Sequence, residues 1–234
     1  MNHVGKIKSG FTIVELMLAM GFVSALLLAI AMTVIQIGNI YNRGITYKDV
    51  NQAGGALASE LRKGISGSSP FKINAGVDTR YIIQGDWGGR LCLGQYSYIW
   101  NYGKAIQAGD TSRLNVYSNS SNQIRFVKAF DPSASYCTQQ PYKKIDSSNA
   151  VELLDSGQHN LAIHSFSVTT DSTANDNGTG QRLYSVEFLI GTNDQTSLNA
   201  GNTACLLPTE VGSDPSYCSV NKFYVVARAG NVVE

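Results

Sequence analysis

An α+β architecture is predicted, with one long N-terminal helix packed on an antiparallel β-sheet domain and the first half of that helix transmembrane. Three features of the sequence carry the prediction. From Leu16 to Ile35 the chain has 20 consecutive uncharged residues, nearly all aliphatic. Val50, Ala53, Leu57, Leu61 and Ile65 then recur at intervals of three and four, the period of a helix with one buried face. Beyond Pro70 the apolar period drops to two, as a half-buried strand requires.

The helix comes first. At about 1.5 Å of rise per residue, the uncharged run alone covers roughly the 30 Å hydrocarbon core of a bilayer. Asp49, Glu60, Arg62 and Lys63 fall mainly off the later apolar stripe, so the second half reads as amphipathic. Gly67, Ser68, Ser69 and Pro70 form a firm stop. A single helix from about Phe11 to about Ile65 follows. Gly38, Gly44, Gly54 and Gly55 weaken it by about 0.5–1 kcal/mol each relative to alanine, and allow local melting or close packing between chains.

The strand candidates are Tyr81–Gln84, Leu91–Tyr102, Leu114–Tyr117, Gln123–Phe130, Leu161–Thr170, Leu183–Ile190 and Lys222–Arg228. Phe166 and Val168 alternate with Ser165, Ser167 and Thr169; Val186, Phe188 and Ile190 share a face, as do Phe223 and Val225. No long helical pattern separates these runs as parallel pairing would need, so the sheet is expected to be antiparallel, its apolar face covering Val50 to Ile65. Gly85-Asp86-Trp87-Gly88-Gly89 reads as a turn. Asp171–Gln181, containing Asn177-Gly178, reads as an exposed loop or hairpin tip.

Removing Lys6, Lys8 and Glu15 leaves 16 basic and 16 acidic residues, so the part beyond the membrane segment is neutral. No basic run with interleaved aromatics marks a nucleic-acid partner. All four cysteines, Cys92, Cys137, Cys205 and Cys218, follow the membrane segment. None forms a C-x-x-C pair or sits at zinc-finger spacing, so no metal site is expected. An even count in an exported domain implies two disulfides with three possible connectivities, or free thiols if the compartment is reducing. Cys92–Cys137 with Cys205–Cys218 is favoured because it closes the shortest loops, each closure stabilising by roughly 3–4 kcal/mol.

The chemistry concentrates at Lys8-Ser9-Gly10-Phe11-Thr12-Ile13-Val14-Glu15-Leu16, where one carboxylate stands at the mouth of the apolar run. A charge in hydrocarbon costs roughly 2.5 kcal/mol or more unless it is neutralised or paired. An ordinary anchor has no use for Glu15; a helix that must find a cationic partner inside an apolar assembly does. A secretory signal peptide, with Ala29-Ile30-Ala31 as its cleavage site, needs an apolar region of only about 7–15 residues. A plain signal anchor uses Lys6 and Lys8 to hold the N-terminus in the cytoplasm. Neither explains Gly10 or Glu15.

Gly10-Phe11-Thr12-Ile13-Val14-Glu15-Leu16 resembles the processing site of the type IV pilin superfamily, which comprises pilins, minor pilins and the pseudopilins of type II secretion. The resemblance implies a leader over residues 1–10, cut between Gly10 and Phe11 by a prepilin peptidase, and N-methylation of Phe11. It implies that Glu15 meets the free α-amine of a neighbouring subunit and sets register during assembly. Residues 11–36 then form the membrane and filament-core half of the helix, 37–66 its amphipathic half, and 67–234 a β-rich ectodomain, the pilin-like fold. The size and the many strands resemble a minor subunit of the PilW or pseudopilin J kind. Many major pilins of the family carry a proline in the membrane half of the helix; none occurs here. The implied partners are other pilins or pseudopilins, the prepilin peptidase, the membrane assembly platform and, before assembly, the lipid bilayer. The implied location is the cytoplasmic membrane, single-pass with the N-terminus inside, and then the pilus or pseudopilus.

Three further candidates stand outside the motif. Tyr96, Tyr98, Trp100 and Tyr102 alternate, so on a strand their rings share one face. They form either a stacking surface for sugars or a neighbouring subunit, or an aromatic cover for the helix. Asp171, Asn175, Asp176 and Asn177 offer clustered oxygens to calcium but fail EF-hand spacing, and turn chemistry explains the same residues. His159 and His164 are the histidines beyond the leader, and no H-E-x-x-H, G-x-S-x-G, S-x-x-K or Walker sequence occurs. A non-enzymatic structural subunit without a cofactor is therefore expected, priming assembly or forming a tip. A tip adhesin and a plain membrane-anchored extracytoplasmic protein are the alternatives.

Overall fold

The computed structural model describes residues 10–73, 79–110, 112–119, 122–138, 144–154, 160–170 and 180–230. The chain divides into two compact units, one ending at Asn42 and the other beginning at Arg43.

Helix α1 runs from Ile13 to Ser66 (54 residues), close to the predicted limits. Up to Asn42 it is the described structure of the first unit, and its apolar side chains from Ile13 to Ile40 are exposed. This stretch is long and apolar enough to cross a membrane. In the second unit Thr46, Val50, Gly54, Leu57, Leu61 and Ile65 are buried. The helix ends where the stop signal places it: Gly67 N–H donates to the Lys63 carbonyl and the Ser68 hydroxyl to that of Ile65. Phe71 follows, its ring stacked 4.0 Å from Tyr184, whose hydroxyl accepts from Phe71 N–H (2.7 Å) and donates to its carbonyl (2.6 Å).

Two antiparallel sheets follow. The first is a five-stranded meander in chain order: β1 (Tyr81–Ile83), β2 (Gly88–Leu93), β3 (Tyr96–Asn101), β4 (Phe126–Phe130) and β5 (Ala150–Glu152). Among the described residues two short α-helices, α2 (Gly103–Ala108) and α3 (Ser135–Thr138), and a 3-10 turn at Ser147–Asn149 lie between its strands. The second sheet is β6 (Leu161–Thr170), β7 (Arg182–Thr192) and β8 (Val220–Ala229), in that order.

The predicted run Leu91–Tyr102 is not one strand. It breaks at Gly94-Gln95, where Gly94 has φ +56°, into a hairpin pairing Leu93 with Tyr96 and Gly88 with Asn101. Gly85, Asp86 and Trp87 form the expected turn, but Gly88 and Gly89 are the start of β2. A Cβ on Gly89 would lie 2.4 Å from the Trp100 ring, so the absence of a side chain lets that indole pack there. Leu114–Tyr117 makes only isolated bridges, Val116 with Gln123 and Tyr117 with Ile145. Its Asn115 instead closes a buried polar network: the side-chain oxygen accepts from Arg90 Nε (3.0 Å) and Nη2 (2.6 Å), and its amide donates to the Trp100 carbonyl.

The first sheet is covered on both faces. Leu91, Leu93, Tyr98, Trp100 and Phe126 join the main core with α1 and the second sheet. Cys92, Ile99, Val127 and Ala129 point the other way, onto Ala134, Tyr136, Cys137 and Ile145. In the main core the rings form a continuous series: Trp100 lies 5.8 Å from Phe126 and 4.2 Å from Phe166, which continues to Phe188 (6.1 Å) and Phe223 (5.4 Å from Phe188). Polar ties connect the sheets as well, from the Tyr81 hydroxyl to the Phe166 carbonyl (3.0 Å) and from Arg125 Nη1 to that of Leu161 (2.7 Å).

Candidate functional site

Thr12 precedes the first helical residue, and Glu15 is the third residue of α1. The Glu15 N–H donates to Thr12 Oγ1 (3.3 Å), and Glu15 Oε2 accepts from both the Thr12 N–H and its hydroxyl (2.9 Å each). This is a reciprocal capping box, T-x-x-E, which satisfies two amides that a helix start otherwise leaves open. Its spacing is visible in the sequence, and it gives Glu15 a structural task besides any role in assembly. Both bonds use Oε2, and neither engages Oε1. The residue is exposed, as are Gly10 and Phe11 on one side and Leu16, Met17 and Leu18 on the other. The carboxylate is thus oriented by its own helix while one oxygen remains for an outside cation. Residues 1–9, part of the expected leader, lie outside the described residues.

The four alternating aromatics are brought to one face, but it is not an open stacking surface. Tyr98 and Trp100 are fully buried, Tyr102 is half-buried, and only Tyr96 is exposed, at 38%. Trp100 sits between the sheets and Tyr98 reaches α1, so these rings serve the core. The physical reason is the hairpin: with β2 and β4 on either side, β3 is the central strand of its sheet.

The Tyr98 hydroxyl donates to Glu60 Oε1 (2.9 Å), the oxygen that also accepts from Lys128 Nζ (2.6 Å). Lys128 Nζ lies 4.1 Å above the Tyr96 ring. Burial raises the Glu60 pKa, but the hydrogen bonds from Lys128 and Tyr98 and the charges of Lys128 and Lys63 outweigh it and hold it below the usual value. Burial, with the Glu60 charge second, pushes the Tyr98 hydroxyl up. The group borders an open cleft of about 260 Å³ lined also by Lys63, Gly64 and Leu93. A Cβ on Gly64 would fall 2.6 Å from the Tyr98 hydroxyl, so the clamp needs glycine there. Its members bind one another, joining α1 to β3 and β4. The sequence signalled it only as a charge beside the apolar stripe.

Both disulfides are present with the favoured pairing, Cys92–Cys137 and Cys205–Cys218. The first ties β2 to α3. The second closes a loop held to α1 by the Thr46 hydroxyl, which donates to the Ser216 carbonyl (3.0 Å). His164 is inward: Nε2 bonds the Thr192 carbonyl (3.1 Å), and burial pushes its pKa down to about 4. His159 and the proposed calcium ligands Asp171, Asn175, Asp176 and Asn177 lie outside the described residues. Among the described residues no three His, Cys, Asp or Glu side chains gather where they would hold a metal ion. No protein-family model, curated protein or solved structure matches the chain.

Proposed function

We propose that the chain is a structural subunit of a type IV pilus or a related secretion or competence filament, a minor pilin or pseudopilin. The observation that carries this reading is the exposed apolar helix from Ile13 to Ile40 with Glu15 fixed at its entrance directly after Gly10-Phe11. An apolar surface of this size in water is unstable by itself and calls for lipid first and other helices later. Cleavage after Gly10 places a new α-amine on Phe11. Glu15 Oε1 then meets the methylated amine of a neighbouring subunit, an interaction that gains strength as the surroundings lose water. One unpaired carboxylate in such a bundle is heavily penalised, so the pairing selects a single axial register. The capping box favours this role because it orients the carboxylate before any partner arrives. The ectodomain displays loops and primes assembly or forms a tip.

Mass spectrometry of the mature chain is expected to show an N-terminus at methylated Phe11. Substitution E15L should leave cleavage largely intact and abolish incorporation into filaments. A native chain that still begins at Met1 or starts at Met32, or E15L subunits that assemble normally, would refute the proposal.

A further inference from the structure

The first turn of α1 fixes more than the orientation of Glu15. Gly10, Phe11 and Thr12 are exposed and non-helical, and α1 starts at Ile13. The helical ladder begins at Thr12, whose carbonyl accepts from Leu16 N–H (3.2 Å). For the helix to grow back by one residue, Glu15 N–H would have to donate to the Phe11 carbonyl, four positions before it. That amide is already engaged, because it donates to Thr12 Oγ1 (3.3 Å). Among the described residues no backbone amide donates to the carbonyl of Gly10 or Phe11. The Thr12 side chain thus occupies the donor through which α1 would extend.

Without that stop the chain has another place to begin a helix. Ser9 is the next residue upstream of a type that caps helices, and a helix capped there starts at Gly10 and Phe11. The peptide bond between them would then lie inside a helical turn. Proteases cut exposed, open chain, and where opening is fast the rate follows the population of the open form. The Gly10–Phe11 bond is the one whose cleavage the proposed function requires.

We infer that Thr12 is a positioning residue for leader removal: its hydroxyl halts α1 just after Phe11 and keeps the Gly10–Phe11 bond open to the peptidase. The inference rests on reading that bond as the processing site. In the reaction water adds to the Gly10 carbonyl carbon and the bond to the Phe11 nitrogen breaks. That nitrogen takes a proton and leaves as the new α-amine, while Gly10 ends the leader as a carboxylate. The two halves of the capping box then have separate duties. E15L keeps the backbone amide of residue 15 on Thr12 Oγ1 and is processed, whereas Thr12→Val removes the acceptor at nearly constant shape.

The test presents full chains carrying T12S, T12N, T12V or T12A, in detergent micelles, to solubilised prepilin peptidase, and follows loss of the leader by mass spectrometry. Losing a cap shifts a helix-start equilibrium by about fivefold. T12S and T12N should be cut at the parent rate, and T12V and T12A at least twofold more slowly. Without peptidase, the Phe11 13Cα chemical shift should lie near its coil value in the parent and T12S and move towards helix in T12V. An unmoved shift in T12V overturns the inference. Cleavage that follows side-chain shape, with T12V equal to the parent and T12S or T12N slow, means that the peptidase reads residue 12 directly, and also overturns it. A parent chain cut after Gly10 beside an equally fast T12V overturns the inference and leaves the processing site intact. A parent chain that is not cut there overturns both.

Discussion

Replacing Gly54 by alanine sets helix propensity against packing. In an exposed helix interior the change stabilises by about 0.5–1 kcal/mol, because glycine loses the more backbone entropy on folding. At Gly54, however, the new Cβ would stand 2.2 Å from Cζ and Cε2 of Phe223. Carbon atoms prefer about 3.5–4.0 Å, so the ring must retreat by more than an ångström. Behind it lies Phe188, fully buried and stacked at 5.4 Å, so the retreat disturbs the aromatic series. Overpacking of this kind costs about 1–3 kcal/mol, which exceeds the propensity gain and leaves G54A destabilised by about 1–2 kcal/mol. For a domain of this size that lowers Tm by roughly 2–8 °C. Gly55, one residue on, has nothing within 4 Å of its would-be Cβ, so G55A should raise stability by about 0.5–1 kcal/mol. Thermal unfolding of the full chain in detergent, followed by circular dichroism, compares the two variants. The double variant G54A/F223L should recover most of the loss. A G54A chain as stable as G55A would refute the close approach of α1 to β8.

Trp100→Ala should destabilise by about 3–5 kcal/mol, since it removes a fully buried indole between two phenylalanines; an unchanged melting temperature would contradict this placement. His164 gives an acid response: its pKa lies near 4 when folded against 6.5 as a reference, so the unfolded chain binds more protons between those values. Its contribution is complete above pH 6.5 and falls by about 3 kcal/mol as pH drops towards 4. H164Q should lose that part of the pH dependence in denaturant titrations, and equal slopes for the two chains would exclude it.

Much of this fold was legible because the relevant signals are local. The stripe from Val50 to Ile65 located the buried face of α1, and alternation at Phe166–Val168 and Val186–Ile190 located β6 and β7. The failures share one cause, a residue whose reason lies in a distant partner. Gly88-Gly89 looks like a turn until Trp100 is known to occupy the space beside Gly89. Gly54 looks like a weak point until Phe223 is known to fill it. The alternating aromatics were correctly placed on one face, but whether that face meets water depends on the five-strand order, which no local pattern shows. At the N-terminus the capping box is legible in plain spacing, with Thr12 three residues before Glu15.

The way the C-terminal part of α1 is held has a mechanical consequence. Within the unit that begins at Arg43, the last five turns of α1 are gripped side-on by Val50, Leu57, Leu61 and Ile65. Those contacts must slide together rather than peel apart one by one, and the Glu60–Lys128 clamp resists at the same time. A pull on this part of the helix must therefore break its side contacts together.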